Sequence, residues 1–240
     1  MIRLIFALGF VVLFLIFSIP IMLVEWLISK KHPHKANLHS MRIVGWAFRV
    51  VLFFSGVKLS VQGLEQVPED QACLFVGNHN SFFDVISTYT LTKRPMGYVS
   101  KIEFKKVPLL NVWMKRIRCL FLDRSNIREG LKMVLEGVSQ IKEGVHIFIF
   151  PEGTRSKDGQ MLPFKEGALK IAEKANCPII PVAIKGSAEI FEQHLPFIKK
   201  GTIQITYGAP VYPDQLTKEE KKFLGAHVQT ILQTMLDQSL

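Results

Sequence analysis

The chain has 240 residues, 48% of them hydrophobic and 21% charged, which is one domain with room for an appendage. A mean hydropathy of +0.23 excludes a disordered chain, and only three cysteines (Cys73, Cys119, Cys177), with no CxxC pair or His/Cys cluster, exclude a disulfide-stapled module and a zinc module. The formal charge is +10, and residues 1–120 hold 15 Lys and Arg against 6 Asp and Glu, so this half faces either nucleic acid or anionic lipid.

The first element decides between those two. Residues 4–24 carry no ionisable side chain. As a helix at ~1.5 Å per residue they would run about 32 Å, close to the hydrocarbon thickness of a bilayer. Pro20 predicts a kink near the end of that helix. No small-x-small cleavage site closes the run, so the segment is expected to stay as an anchor. Lys30, Lys31, His32, His34 and Lys35 follow, then a second apolar stretch at residues 43–57 with Trp46, Phe48, Phe53 and Phe54. Arg42 and Arg49 stand two helical turns apart on nearly one face. That pattern suits an interfacial helix with snorkelling arginines, and equally a core helix with one charged stripe. Residues 1–60 are expected to form a two-helix membrane-docking unit, spanning the bilayer or dipping into one leaflet, and residues 61–240 a separate domain. An apolar N-terminus disfavours nucleic acid.

From residue 57 onward the pattern alternates. Short apolar, β-branched or aromatic runs at residues 57–61, 72–76, 98–100, 119–122, 145–150, 179–184 and 202–206 predict strands. Helical patterns fall at 82–92, 109–116, 128–142, 167–176 and 218–236. The alternation predicts an α/β fold, a largely parallel sheet covered by helices. Ligands of such sheets collect at the carboxyl ends of the strands.

Two constellations stand there. Behind residues 72–76 comes Gly77-Asn78-His79-Asn80-Ser81-Phe82-Phe83-Asp84. Asn80 or Ser81 suits a helix N-cap, which puts Asp84 in the first turn. Positions five apart do not share a face of one helix, but His79 in the loop before the cap can fold its ring back onto Asp84. A carboxylate on one ring nitrogen fixes the tautomer and leaves the other nitrogen as a base. A plain helix cap beside a surface histidine has the same local pattern. Behind residues 145–150 comes Phe150-Pro151-Glu152-Gly153-Thr154-Arg155. Pro-Glu-Gly reads as a tight turn, and Arg155 offers the fork that binds phosphate. Residues 93–118 between them hold eight Lys and Arg and one acid, Glu103.

These residues resemble the glycerolipid acyltransferases, most closely their lysophosphatidic acid acyltransferase branch. His79 and Asp84 form an HX4D motif, and residues 150–155 read FPEGTR. Lys101-Ile102-Glu103-Phe104 with Val107-Pro108, then Phe121-Leu122-Asp123-Arg124, and then Ile179-Ile180-Pro181-Val182-Ala183-Ile184 match further blocks in the family's order. One departure is Leu109-Leu110-Asn111, where a glycine often follows the block. The resemblance implies that His79 is the general base and Asp84 its orienting partner. It implies that Lys101 and Arg155 bind the substrate phosphate, with Arg124 also a candidate, and that Glu152, Gly153 and Thr154 shape the glycerol site. It also implies transfer of a fatty acyl group from an acyl-CoA or acyl-carrier-protein thioester to the 2-hydroxyl of lysophosphatidate, giving phosphatidate, with no cofactor and no metal. The expected partners are those substrates and membrane lipids, at the cytoplasmic face of the cell membrane. Acylation of glycerol-3-phosphate or another lysophospholipid fits the same blocks. A non-catalytic lipid-binding protein would have no use for the His-Asp pair.

Overall fold

The computed structural model describes residues 1–238. Three helices open the chain: α1 (Ile2–Phe17), α2 (Ile19–Lys31) and α3 (Pro33–Ser55). The sequence led us to expect two. The uncharged run breaks at Ser18, two residues before Pro20, and α1 and α2 meet at a bend of 51°. Proline has no N–H for the carbonyl four residues back, and its ring crowds that carbonyl, so the helix cannot pass straight through. The next helix starts ten residues earlier than expected, with Pro33 in its first turn, where a missing N–H costs nothing. It ends at Gly56, whose φ of +69° supplies the left-handed C-terminal residue.

The alternating part contributes β1 (Val57–Gln62), β2 (Leu74–Gly77), α4 (Phe82–Tyr89), β3 (Met96–Lys101), α5 (Leu110–Arg116), β4 (Leu120–Leu122), α6 (Ile127–Lys142), β5 (His146–Ile149), α7 (Lys170–Ala175), β6 (Ile179–Lys185), β7 (Gly201–Tyr207), α8 (Lys218–Lys222) and α9 (Leu224–Gln238). The strands form one seven-stranded sheet in the order β1-β7-β6-β2-β5-β3-β4. Five strands from β6 to β4 run parallel, β7 is antiparallel to β6, and β1 runs parallel with β7. The expected α/β fold with a largely parallel sheet is what forms. β2 and β5 are buried on both faces, which is why they read as unbroken apolar runs.

Two expected helices differ from the structure. Residues 166–169 form a 3₁₀ turn before α7, and the helix expected over 218–236 divides at Phe223 into α8 and α9. The departure at Leu109 has a structural counterpart. Leu109 sits at φ +63°, ψ −47°, and the Leu110 N–H donates to the Pro108 carbonyl at 2.6 Å. This is a γ-turn of the strained hand, the conformation a glycine would take most easily.

Each face of the sheet has its own core. One packs Phe75, Tyr98, Phe148 and Ile203 of the strands against Phe83 and Tyr89 of α4, Trp113 of α5, Val44, Val51 and Leu52 of α3, and Ala7 of α1. The other packs Leu74, Ile147 and Ile179 against Met133 and Val134 of α6, Ile171 of α7, and Val228 and Leu232 of α9. The N-terminal helices therefore lie on the same face as α4. Arg49 of α3 does not reach outward; its Nη2 donates to the Thr90 carbonyl at 3.2 Å, beyond the end of α4. The three cysteines are buried and unpaired.

Candidate active site

The sheet brings the carboxyl ends of β2, β5, β3 and β4 together as four successive neighbours. His79 stands two residues past β2, Glu152 to Arg155 follow β5, Lys101 closes β3, and Arg124 lies two residues past β4. Every site residue expected from the sequence thus falls on one rim.

His79 and Asp84 touch. The imidazole Nδ1 lies 2.8 Å from Asp84 Oδ2, with His79 19% exposed and Asp84 fully buried. Ser81 is the N-cap of α4, its Oγ accepting from the Phe83 N–H at 3.0 Å. Asp84 completes the capping box: Oδ2 also accepts the N–H groups of Asn80 at 2.7 Å and Ser81 at 2.8 Å. One carboxylate oxygen therefore starts the helix and holds the histidine. Helix cap and dyad are the same structure here, not competing explanations of one pattern.

The ring of His79 lies flat on Phe150, centroids 4.1 Å apart and planes at 17°. Phe150 in turn packs on Phe148 and Tyr98 of the core. The main chain of His79 is pinned on both sides: its N–H donates to Glu152 Oε1 at 2.7 Å, and its carbonyl accepts from the Ser156 N–H at 2.8 Å. With Nδ1 committed to Asp84, Nε2 is the ring nitrogen left for a substrate. Asn78, one residue earlier, extends the sheet sideways. Its side-chain amide donates to the Ile184 carbonyl at 2.9 Å and accepts from the Ile184 N–H at 2.8 Å.

Glu152 is buried and serves as a strut. While Oε1 takes the His79 N–H, Oε2 takes the Leu162 N–H at 2.8 Å. Burial pushes its carboxyl above the usual carboxylate range, and these two N–H groups pull against that rise. Gly153 has φ +74° and Thr154 is exposed. Arg155 is already engaged: Nη1 donates to Glu192 Oε1 at 2.7 Å, and the guanidinium lies 4.0 Å from the ring centre of Phe82. Lys101 and Arg124 are exposed and pair with no carboxylate among the described residues.

Sequence reasoning missed three residues of this site. Glu192 ties Arg155 to the start of α4, accepting the Phe82 N–H at 2.9 Å as well. Phe82 forms the floor under Arg155. Lys165 approaches Gly153 with its ammonium group. No local pattern points to Glu192 or Phe82. Lys165, ten residues past Arg155 and ahead of a helix of mixed polarity, carried no distinctive signal either.

The model of the acyltransferase family matches residues 58–185, just over half of the chain. The chain is 33% identical over 159 residues to a chloroplastic 1-acyl-sn-glycerol-3-phosphate acyltransferase of Brassica napus, an alignment covering 65% of this chain and 45% of that protein. It is 34% identical over 174 residues to a probable 1-acyl-sn-glycerol-3-phosphate acyltransferase of Mycoplasma pneumoniae, covering 68% of this chain and 65% of that protein. The chain spans about half the length of the first curated relatives it matches. Its fold superposes on the crystal structure of the 1-acyl-sn-glycerophosphate acyltransferase PlsC of Thermotoga maritima with a TM-score of 0.82. That superposition covers 99% of this chain and 95% of the other at 22% identity, a likeness of fold.

Proposed function

The chain belongs to the acyltransferase family, and from that premise we propose that it transfers a fatty acyl group from a thioester to the 2-hydroxyl of 1-acyl-glycerol-3-phosphate, giving phosphatidate. The relatives named for this acceptor support the reading. What carries it on this chain is His79: Nδ1 held by the buried Asp84, ring flat on Phe150, Nε2 free at the rim of the sheet.

An alcohol is too weakly acidic to attack a thioester unaided. His79 Nε2 takes the proton of the acceptor hydroxyl as its oxygen bonds to the thioester carbonyl carbon. The C–S bond then breaks, and the departing thiolate takes the proton back from His79. Asp84 stabilises the imidazolium between these steps and keeps Nδ1 protonated in the resting ring. The thioester is already activated, so no serine or cysteine nucleophile is required. Coenzyme A and acyl carrier protein both satisfy this role for the donor. Lys101, Arg124 and Arg155 supply positive charge for the acceptor's phosphate, and Glu152, Gly153 and Thr154 shape the space between phosphate and base. The apolar N-terminal helices hold the site at the level of the lipid headgroups, at the cytoplasmic surface.

The test is turnover of detergent-solubilised protein with lysophosphatidate, glycerol-3-phosphate and a neutral lysolipid, each against an acyl-CoA and an acyl-carrier-protein donor. His79→Ala is expected to lose 10²- to 10⁴-fold in kcat, about the worth of a positioned general base, with an unchanged melting temperature. A folded His79→Ala protein with near-normal turnover would refute the mechanism. A wild-type preference for another acceptor would replace lysophosphatidate in the reading.

A further inference from the structure

The loop between β6 and β7 leaves from the rim that carries His79 and returns to it. β7 runs antiparallel to β6 with Gln204 opposite Lys185, so Gly201 at its start lies past the carboxyl end of β6. Val57 of β1 pairs with Gly201, which puts the end of α3 on the same rim. Phe6 of α1 stacks on Phe54 of α3, centroids 5.8 Å apart, so the start of α1 is there too. These three segments meet at Gly56. A Cβ placed on it would lie 3.1 Å from Lys200 Cβ and 3.2 Å from Arg3 Nε.

The loop is firmly built. The Lys199 N–H donates to the Ile190 carbonyl at 2.9 Å and closes it, and Ile190 and Ile198 at that closure are buried. Near the tip, the Phe197 N–H donates to the His194 carbonyl at 2.7 Å. Glu192 ties the base of the loop to the Phe82 N–H and to Arg155. Yet the tip turns Leu195 and Phe197 to water, 61% and 45% exposed. A single exposed apolar side chain is ordinary on a protein surface. These two stand on a rim where Ile2, Ile5 and Phe53 are exposed as well, at the ends of α1 and α3, with Phe82 at the start of α4 on the other side. Residues 193–201 contain no Asp or Glu, and Lys199, Lys200 and Arg3 are exposed. An apolar tip flanked by cations matches an anionic bilayer, whose acyl chains receive the tip and whose headgroups receive the lysines.

We propose that residues 193–200 form a second membrane contact, separate in sequence from α1 and α2. Leu195 and Phe197 enter the boundary between headgroups and acyl chains, and Lys199 and Lys200 lie against the headgroup phosphates. The inference rests on the reading that the acceptor is a membrane lipid. The loop adds to the hold of α1 and α2 and does not replace it. Its effect is on height: because Glu192 joins it to Phe82 and Arg155, seating the tip in the bilayer sets the rim of His79 against the surface from which a lysolipid arrives.

The experiment uses the full chain on liposomes of phosphatidylglycerol and phosphatidylcholine. The three native cysteines are buried, so an environment-sensitive thiol dye can be directed to Phe197→Cys. Lys142→Cys is the control, exposed at the end of α6 on the opposite rim. On liposomes the dye at position 197 is expected to shift to the blue and to be quenched by a lipid-borne nitroxide, and the dye at position 142 to do neither. Leu195→Ser combined with Phe197→Ser is expected to raise the KM for vesicle-borne lysophosphatidate about tenfold or more. Its melting temperature and its turnover of a short-chain, monomeric lysophosphatidate should match the wild type. Leu195→Met with Phe197→Trp keeps the tip apolar and should behave as the wild type on vesicles. A dye at position 197 that stays in water on bound protein would overturn the proposal, as would a double-serine variant with the wild-type vesicle KM. A rise confined to the KM for a carrier-protein donor would overturn it in favour of a protein partner at the tip, and loss of a dimer in light scattering would do so in favour of a second copy. Failure of the wild type to acylate lysophosphatidate, with the dye at position 197 buried in lipid, would count against the proposed reaction and leave the membrane contact standing.

Discussion

Asp84 Oδ2 accepts from the Asn80 and Ser81 N–H groups while it holds His79 Nδ1, and this crowding determines what Asp84→Asn does. Two main-chain donors aim at one spot, so the asparagine must place its oxygen there and its NH₂ at the position of Oδ1. Oδ1 is buried with no hydrogen-bond partner, so one unpaired atom replaces another. The histidine tautomer is therefore preserved, and what disappears is the negative charge beside the imidazolium. The imidazolium formed during transfer loses its counter-charge, so kcat is expected to fall about 10- to 10³-fold, short of the full worth of a positioned general base, with a small change in melting temperature. Turnover and a thermal melt of the variant check this; a loss as deep as that of His79→Ala would mean that the tautomer had reversed. His146 gives a second expectation at this scale. It is buried at the start of β5, its Nδ1 accepts the Cys73 N–H at 3.0 Å, and burial pushes its pKa down from 6.5 to about 4. Below pH 6.5 the unfolded chain takes up a proton that the folded site refuses. This contribution to stability is complete above pH 6.5 and is lost as pH falls through about 4, on the order of 3 kcal/mol in all. His146→Asn should show a shallower fall of melting temperature between pH 7 and pH 4 than the wild type. The local half of the site was legible in the sequence because cap, dyad and turn lie within a few residues of one another. Glu192 was not, since it meets Arg155 across 37 positions and Phe82 across 110, a proximity only the packed sheet creates.

At the scale of elements, α5 connects the sheet to the bent N-terminal pair. Trp113 Nε1 donates to Ser18 Oγ at 2.9 Å, at the bend, and Ser18 Oγ donates on to the Leu15 carbonyl at 3.1 Å. Arg116 donates to the Glu25 carbonyl at 2.9 Å and the Met22 carbonyl at 3.4 Å, both in α2. Glu25 is itself buried, with its carboxylate on His39 and Ser40 of α3. The bend is thus a joint gripped from three sides. Trp113→Phe keeps most of the ring and removes the donor, leaving Ser18 Oγ without its buried partner. The expected cost is about 1 kcal/mol, or roughly 2–4 °C in melting temperature for a chain of this size, with kcat in detergent unchanged. Differential scanning calorimetry checks it. Pro20 announced the bend in the sequence, because proline's effect on a helix is local. The grip on it was invisible, because Trp113 and Arg116 read as an ordinary short helix until the fold sets them against α1 and α2. The strained turn at Leu109 that starts α5 lies between these two cases. The sequence marked the place where a glycine was missing, and the structure adds that leucine takes the glycine-like conformation at a cost of about 1–3 kcal/mol.

For the whole molecule, the apolar surface and the core divide the N-terminal region differently from a single boundary at residue 60. α3 sends Val44, Val51 and Leu52 into the core beneath α4, so it is structural whatever else it does. By length and composition alone α3 is a candidate membrane span, and so is the bent α1–α2 pair. The pair turns many of its apolar side chains outward: Ile5, Leu13, Phe17 and Leu27 are each more than half exposed, as Trp46 and Phe53 of α3 also are. An exposed apolar surface of this kind marks a membrane or protein contact, and lipid is the cover that the proposed reaction supplies. This gives a test that does not unfold the domain, as cutting the chain at residue 60 would. Replacing Ile5, Leu13, Phe17 and Leu27 together with serine removes four exposed side chains, each worth about 1.5–3 kcal/mol on transfer out of water. The fold loses little, because none of the four is part of the buried core. The variant is expected to leave liposomes of anionic phospholipid in a flotation assay at 1 M salt, where the Debye length is ~3 Å and surface charge no longer holds the protein. The wild type should still float. At low salt the basic residues around Lys30 and Lys35 should recover part of the binding. Turnover of a lysophosphatidate dispersed in mild detergent should remain, because His79 and Asp84, at the start of α4, bond to none of the four positions. If the folded variant floats with the wild type at high salt, the outward face of α1 and α2 is not what holds this protein to lipid.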